Sequence, residues 1–145
     1  MRAVIQRVIQ ASVSVDGKAV GKIDHGFMVL FAVHNDDTEE KLEKMANKII
    51  NLRIFEDEEG KMNKSLLGAK GALLIVSQFT LYGNSKKGNR PSFIDSASPE
   101  RAKKMYDSFI NILKNKNIHV ETGIFGVRMQ IELINDGPTT LIIDI

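Results

Sequence analysis

The sequence predicts a mixed α/β layered sandwich folded as one domain, residues 1–145. Three observations carry that expectation. Short β-branched and apolar runs outnumber helical stripes. Two of those runs, "GFMVLFAV" from Gly26 and "GALLIVSQFTLYG" from Gly71, are apolar enough for strands buried on both faces. Only two segments repeat apolar residues at helical spacing, so two helices must cover part of a sheet. With 43% hydrophobic and 26% charged residues, the chain has the composition of an ordinary globular protein with a real core.

Each element follows in order. Ala3 to Val15 is rich in β-branched residues, and Val13 and Val15 alternate with Ser12, Ser14 and Asp16. Asp16-Gly17 is a two-residue hairpin signal, so Lys18 to Ile23 is expected to pair back, and the sheet cannot be all parallel. A buried strand spans Gly26 to Val33. Asp37 is the expected cap of the first helix, in which Leu42, Met45, Ala46, Ile49 and Ile50 form one buried stripe. "LRIFED", from Leu52, reads as a short strand, and its acidic continuation Glu56 to Glu59 as a solvated turn. The strand from Gly71 runs on to Gly83, and a polar loop follows to about Ala97. Ser98-Pro99-Glu100 starts a second helix with a capping Ser, Pro at the first helical position and an acid. Strands near Val127–Ile134 and Thr139–Asp144 close the chain, joined by a turn at Gly137-Pro138.

Several function classes lose support. There is no cysteine, hence no disulfide and no thiolate chemistry, which fits a cytoplasmic location. The N-terminal stretch lacks a continuous apolar region, so no signal peptide or membrane span is expected. His25, His34 and His119 have no partner at metal-ligand spacing, and no phosphate-binding glycine loop is present, so neither metal nor cofactor is expected. A net charge of +2 does not by itself indicate nucleic acid; the one basic cluster is Lys86, Lys87 and Arg90. Ser77, Gln78 and Thr80 are polar residues at the end of a buried strand. They must hydrogen-bond within the sheet or face a pocket. No Gly-x-Ser-x-Gly elbow accompanies them and no histidine is an obvious partner.

"SQFTL" after a buried strand, with "NDGPTT" opening the last one, resembles the D-aminoacyl-tRNA deacylases, also called D-tyrosyl-tRNA deacylases. "QRV" at Gln6, "ASVSVDG", "LRIFEDEEGKMN", "GNRPSF" and "TGIFG" extend the resemblance through essentially the whole chain. Thr139 departs from the Val more usual after Gly-Pro, a change between β-branched residues of similar size.

The resemblance implies a layered β/β/α sandwich and hydrolysis of the ester joining a D-amino acid to the terminal adenosine of tRNA, without metal or cofactor. It implies a cytoplasmic homodimer with active sites at the subunit interface. Gly137-Pro138 is then a cis peptide inserted into the partner's active site to reject L-amino acids, with Arg7 steadying it. Ser77, Gln78, Phe79 and Thr80 form the catalytic pocket. Phe79 contributes mainly its backbone amide, Thr80 supports, and the 2′-hydroxyl of the tRNA assists the chemistry. Lys86, Lys87, Arg90 and Met129 are candidate contacts to the tRNA 3′ end. Rejection by steric clash has a built-in limit: glycine has no side chain to collide, so glycyl-tRNA is an expected substrate. Two rival readings are an esterase using Ser77 or Thr80 as nucleophile, and a non-catalytic RNA-binding dimer.

Overall fold

A computed structural model describes residues 1–145. Its main sheet is built on β1 (Arg2–Val15), which turns through Asp16 and Gly17 into β2 (Lys18–Ile23). Both turn residues have positive φ, 48° and 76°, the conformation that matches the twist of a two-residue hairpin. β3 (Gly26–Ala32) lies antiparallel to the first half of β1, from Arg2 opposite Ala32 to Val8 opposite Gly26. β6 (Ala72–Ser77) is parallel to β3, and β7 (Val120–Thr122) is parallel to β6. Between β3 and β6 come helix α1 (Glu40–Ile50) and a separate ribbon of β4 (Phe55–Glu56) and β5 (Met62–Lys64). Helix α2 (Pro99–Asn115) precedes β7, and β8 (Gln130–Asp144) ends the chain.

Two cores give the layered β/β/α arrangement. On one face of the sheet Ala3, Ile5, Phe27, Val29, Phe31, Leu73 and Ile75 pack under both helices. Phe31 stacks on Phe109 of α2 with ring centroids 4.3 Å apart. On the other face Val8, Ala11, Val13 and Ile23 cover Met28, Leu74 and Val76, with Ile131 and Leu133 of β8 alongside. β1 serves both cores because an irregularity between Val8 and Gln10 shifts its pairing with β8. Ile9 is left exposed there, and the buried side chains change face. Each large apolar side chain fully buried in these cores stabilises the fold by about 1.5–3 kcal/mol.

Four expectations need correction. The last two strands are one. Thr140 to Asp144 pairs with Gln6 to Arg2, and Gln130 to Asn135 pairs with Ser14 to Val8, all antiparallel to the same β1. Gly137-Pro138 therefore joins no hairpin: Asp136 to Thr139 loop out of a continuous β8 opposite the single residue Arg7. The strand from Ala72 stops at Ser77 rather than Gly83, because residues Phe79–Tyr82 curl into a 3₁₀ turn. Of "LRIFED" only Phe55 and Glu56 are paired. Finally, Asp37 does not cap α1, whose N-terminal residue Glu39 makes no side-chain cap.

Asp37 has a different task. Its carboxylate is 1% exposed and accepts hydrogen bonds from the Met1 ammonium at 2.6 Å, His34 N at 2.7 Å and Lys41 Nζ at 2.9 Å. Ser98, by contrast, caps α2 as expected, accepting from Arg101 N, with Pro99 at the first helical position. No helix is long and apolar enough to cross a membrane.

Burial alone would raise the Asp37 carboxyl, but hydrogen bonds from Lys41, the Met1 ammonium and the His34 amide outweigh it and hold it below its ordinary value of 3.8. A carboxyl depressed in the folded state contributes stability that is fully present above that ordinary value and lost as pH falls through the folded one. Asp37→Asn is expected to cost about 3–5 kcal/mol at neutral pH, because it leaves buried positive charge uncompensated. It should also flatten the acid limb of the stability profile. Urea unfolding of parent and variant from pH 7 to pH 3 measures both effects.

Candidate functional site

β3 and β6 run parallel, and a cavity of about 730 Å³ opens beyond their carboxyl ends. The chain builds it from four places. Phe31, Ala32 and Val33 come from the end of β3, and Val76, Ser77, Gln78 and Phe79 from the end of β6. Ser98, Pro99, Ala102 and Tyr106 come from the first turns of α2, with Phe93, Ser96 and Ala97 just before it. Phe125 to Val127, Met129 and Ile131 lead into β8. The size and the largely apolar lining suit a small organic group held by a few polar atoms.

The polar atoms sit where β6 gives way to the 3₁₀ turn. Gln78 N donates to Phe31 O at 2.8 Å and ends the β3–β6 ladder. The chain then curls, so the amides of Phe79 and Thr80 head the turn, where a short helix has no acceptor of its own for them. Gln78 Nε2 donates to Thr80 Oγ1, tying the two side chains together. Arg2 braces the turn from behind: Nη1 donates to Leu81 O at 2.9 Å, the Asp144 carboxylate orients the guanidinium, and that guanidinium lies 5.3 Å over the Tyr82 ring. Burial is the main cause pushing the Tyr82 phenol up to about 12.

No charged residue and no histidine lines this cavity. The one titratable group in it is Tyr106, and burial pushes its phenol well above the ordinary value of 10.0. Tyr106 Oη is already committed, donating to Ile75 O at 2.7 Å. Ser77 Oγ makes no hydrogen bond within the chain and has no base beside it. The lining thus offers hydrogen-bond donors and shape, but no activated nucleophile.

The expected site residues separate into three groups. Ser77, Gln78, Phe79 and Met129 meet in the cavity. Met129 fits because Gly123 leaves room: a Cβ there would lie 2.5 Å from Met129 Sδ. Thr80 is exposed and outside the lining. Lys86, Lys87 and Arg90 are exposed on the loop before α2 and make no ion pairs. Asn84 and Ser92 close the base of that loop through paired backbone hydrogen bonds of 2.8 and 2.9 Å, next to Phe93 on the cavity rim. Tyr106 belongs to the buried apolar face of α2, and neither it nor Phe93 or Phe125 carries a local signal for a site. Only their assembly around the strand ends reveals them.

Gly137, Pro138 and Arg7 form the third group, away from the cavity of their own chain. The Gly137–Pro138 bond is cis, as the resemblance implies, and both residues are exposed. Beneath them Arg7 is only 3% exposed. Its Nη1 donates to Ile54 O at 2.6 Å, and Nη2 lies 3.7 Å from Glu56. Nε is 2.9 Å from Asp136 Oδ2, an ion pair by distance but too far off the N–H axis to be a hydrogen bond. A smaller cavity of about 360 Å³ adjoins this cluster, lined by Arg7, His25, Phe55, Glu56, Lys64 and Asp136 among others.

Comparison with known proteins is consistent along the whole chain. The family model described as D-Tyr-tRNA(Tyr) deacylase matches residues 4–144. A D-aminoacyl-tRNA deacylase of Thermosipho africanus is 60% identical over 99% of this chain and 97% of its own length. That of Thermus aquaticus is 54% identical over 99% and 95%. Among solved structures, one titled c-Myc DNA Unwinding Element Binding Protein superposes with a TM-score of 0.94 at 41% identity, covering 99% of this chain and 98% of that one. A probable eukaryotic D-amino acid tRNA deacylase gives 0.87 at 23% identity over the same shares, a likeness of fold.

Arg7→Ala is expected to destabilise the fold by about 1–3 kcal/mol, because the Ile54 carbonyl loses its buried donor. Amide hydrogen exchange should rise at residues 136–139 more than elsewhere in β8. Chemical denaturation and residue-resolved exchange check the two outcomes.

Proposed function

The chain belongs to the D-Tyr-tRNA(Tyr) deacylase family, and we propose that it hydrolyses the ester linking a D-amino acid to the 3′ end of tRNA. As a D-aminoacyl-tRNA deacylase it is a carboxylic ester hydrolase acting on aminoacyl-tRNA. The observation that carries the mechanistic reading is the cavity lining. It contains no charged residue and no histidine, and its one phenol is occupied.

An aminoacyl ester is already activated, so what it needs is positioning, donors for the developing oxyanion and a proton acceptor. The Phe79 and Thr80 amides at the head of the 3₁₀ turn supply the donors. The apolar walls hold the terminal nucleoside and exclude bulk water, which strengthens those hydrogen bonds. Since the protein offers no base there, the adjacent ribose 2′-hydroxyl takes part in the chemistry. Ser77 and Gln78 shape the pocket, and Thr80 keeps a supporting role through its hydrogen bond with Gln78. Met129 contacts the terminal nucleoside, and Lys86, Lys87 and Arg90 engage the phosphates of the 3′ strand.

Chirality is decided by Gly137 and Pro138. They do not line the cavity of their own chain, so this role requires a second copy whose pocket receives them. The enzyme is therefore a homodimer of single-domain chains, with each active site completed across the interface. The segment stands on a buried guanidinium rather than on mobile side chains, and a rigid wall can exclude an L side chain by collision. Glycyl-tRNA escapes that collision and is hydrolysed too. The site is cytoplasmic, where aminoacyl-tRNA is used.

Incubation with D-tyrosyl-, L-tyrosyl- and glycyl-tRNA, read as ester loss, tests the reading. The D and glycyl esters should be cleaved and the L ester spared; survival of D-tyrosyl-tRNA contradicts it. A tRNA ending in 2′-deoxyadenosine should react at least about 10²-fold more slowly, whereas Thr80→Ala should lose less than about tenfold. Gly137→Ala should raise L-ester cleavage. Residue 137 has φ +116°, and a Cβ there would lie 2.5 Å from Thr139 Oγ1 and 3.2 Å from Arg7 Nη2, so the segment must shift.

A further inference from the structure

The Asp136–Thr139 loop is held at both ends, and only one holder is charged. At its start Asp136 pairs with buried Arg7. At its end the holder is Asn135, the residue immediately before the loop. Asn135 Oδ1 accepts from Thr139 N at 2.9 Å, and Asn135 Nδ2 donates to Thr140 Oγ1 at 3.0 Å. One side chain thus reaches across the loop and fastens to its last residue, Thr139, and to Thr140, where β8 regains its register opposite Gln6. Gln6 Nε2 lies 3.5 Å from the same Thr140 hydroxyl and marks the far edge of the clamp.

The arrangement needs an amide. A side chain here must accept from a backbone N–H and donate to a hydroxyl at once, which Asn does with its two unlike ends. Asp retains the acceptor but loses the NH₂ and adds a negative charge beside Asp136. Ala retains neither. A loop fastened only at Arg7 keeps its root but not its direction: Gly137 and Pro138 are exposed, and the end leading to Thr139 is then free to swing.

We propose that Asn135 is a positioning residue for stereochemical discrimination. It touches no substrate; by closing the loop it sets the direction in which Gly137 and Pro138 project, and so the ratio of D- to L-aminoacyl-tRNA hydrolysis. This rests on the reading of Gly137 and Pro138 given above. A merely structural residue would change stability, or both activities together. A positioning residue changes the ratio.

The test is kcat/KM on D-tyrosyl- and L-tyrosyl-tRNA for the parent, Asn135→Ala and Asn135→Asp, with amide exchange at Thr139. Asn135→Ala is expected to raise L-ester hydrolysis at least about tenfold while the D ester stays within about threefold, a selectivity change of the size steric pockets control. The Thr139 amide should exchange faster, and Asn135→Asp, with its acceptor intact, should fall between parent and Ala. Unchanged L rejection in a folded Asn135→Ala overturns the inference, as does an equal fall in both activities. If Asn135→Ala does not fold, Thr140→Val, exposed and isosteric, removes the hydroxyl that accepts from Asn135 Nδ2, together with its longer 3.5 Å contact to Gln6 Nε2. A rise in L hydrolysis there supports the inference, and parent-like rejection overturns it. A parent inactive on D-tyrosyl-tRNA removes the underlying reading itself. A selective parent with equally selective variants removes only the role of Asn135.

Discussion

A buried guanidinium organises the part of this molecule that distinguishes it from a plain sandwich. Arg7 occupies the third place in the stripe Ala3, Ile5, Arg7, where strand alternation points every side chain toward the core beneath the helices. A charge in that place must be paired and hydrogen-bonded, or it costs several kcal/mol. The partners come from two directions: the Ile54 carbonyl and Glu56 from the chain around β4, and Asp136 from β8. Asp136 meets Arg7 while β8 pairs with β1 on both sides of the gap. Four residues therefore have to leave the sheet opposite one. The protruding Gly137–Pro138 segment is thus the other side of a charge-burial problem.

The cavity end of the molecule is built without charge in its lining. A parallel pair of strands ends in a 3₁₀ turn, and the turn redirects backbone amides that would otherwise continue a ladder. Arg2 and Tyr82 brace the turn from outside the cavity, and Tyr106 spends its hydroxyl on the Ile75 carbonyl. What remains facing the cavity is backbone, apolar surface and small hydroxyls. Such a lining suits an activated ester whose own ribose carries a reactive hydroxyl. It offers little to a reaction that must generate a nucleophile from a side chain. Under the proposed function, selection and chemistry belong to different elements and meet only across the two chains of a dimer.

Much of the fold was legible because the signals were local. Asp16-Gly17 specified its hairpin, Ser98-Pro99 its helix start, and the continuous apolar runs their doubly buried strands. Three of the four misreadings involve a partner distant in sequence. Gly-Pro flanked by β-branched residues reads as a turn, yet both flanks pair with one 14-residue strand that starts more than 120 positions earlier. Asp37 has the chemistry of a cap, but the Met1 ammonium and Lys41 claim its oxygens. "SQFTL" follows strand alternation on paper, yet the Gln78 amide ends the ladder on Phe31 and the chain curls. The cavity was legible mainly through the resemblance of "SQFTL" and "TGIFG" to a known family. No local pattern shows that Phe31, Phe93, Tyr106 and Phe125 converge.

The central claim is that one chain's Asp136–Thr139 loop decides which enantiomer the other chain's cavity accepts. Mixed dimers test it most directly, with one protomer carrying Ala102→Trp to fill its cavity and the other carrying Gly137→Ala. Their one open cavity belongs to the Gly137→Ala protomer and faces the unaltered loop of its neighbour. The account predicts that purified mixed dimers cleave D-tyrosyl-tRNA and again spare L-tyrosyl-tRNA. Mixed dimers that cleave the L ester as fast per open cavity as Gly137→Ala homodimers would contradict it.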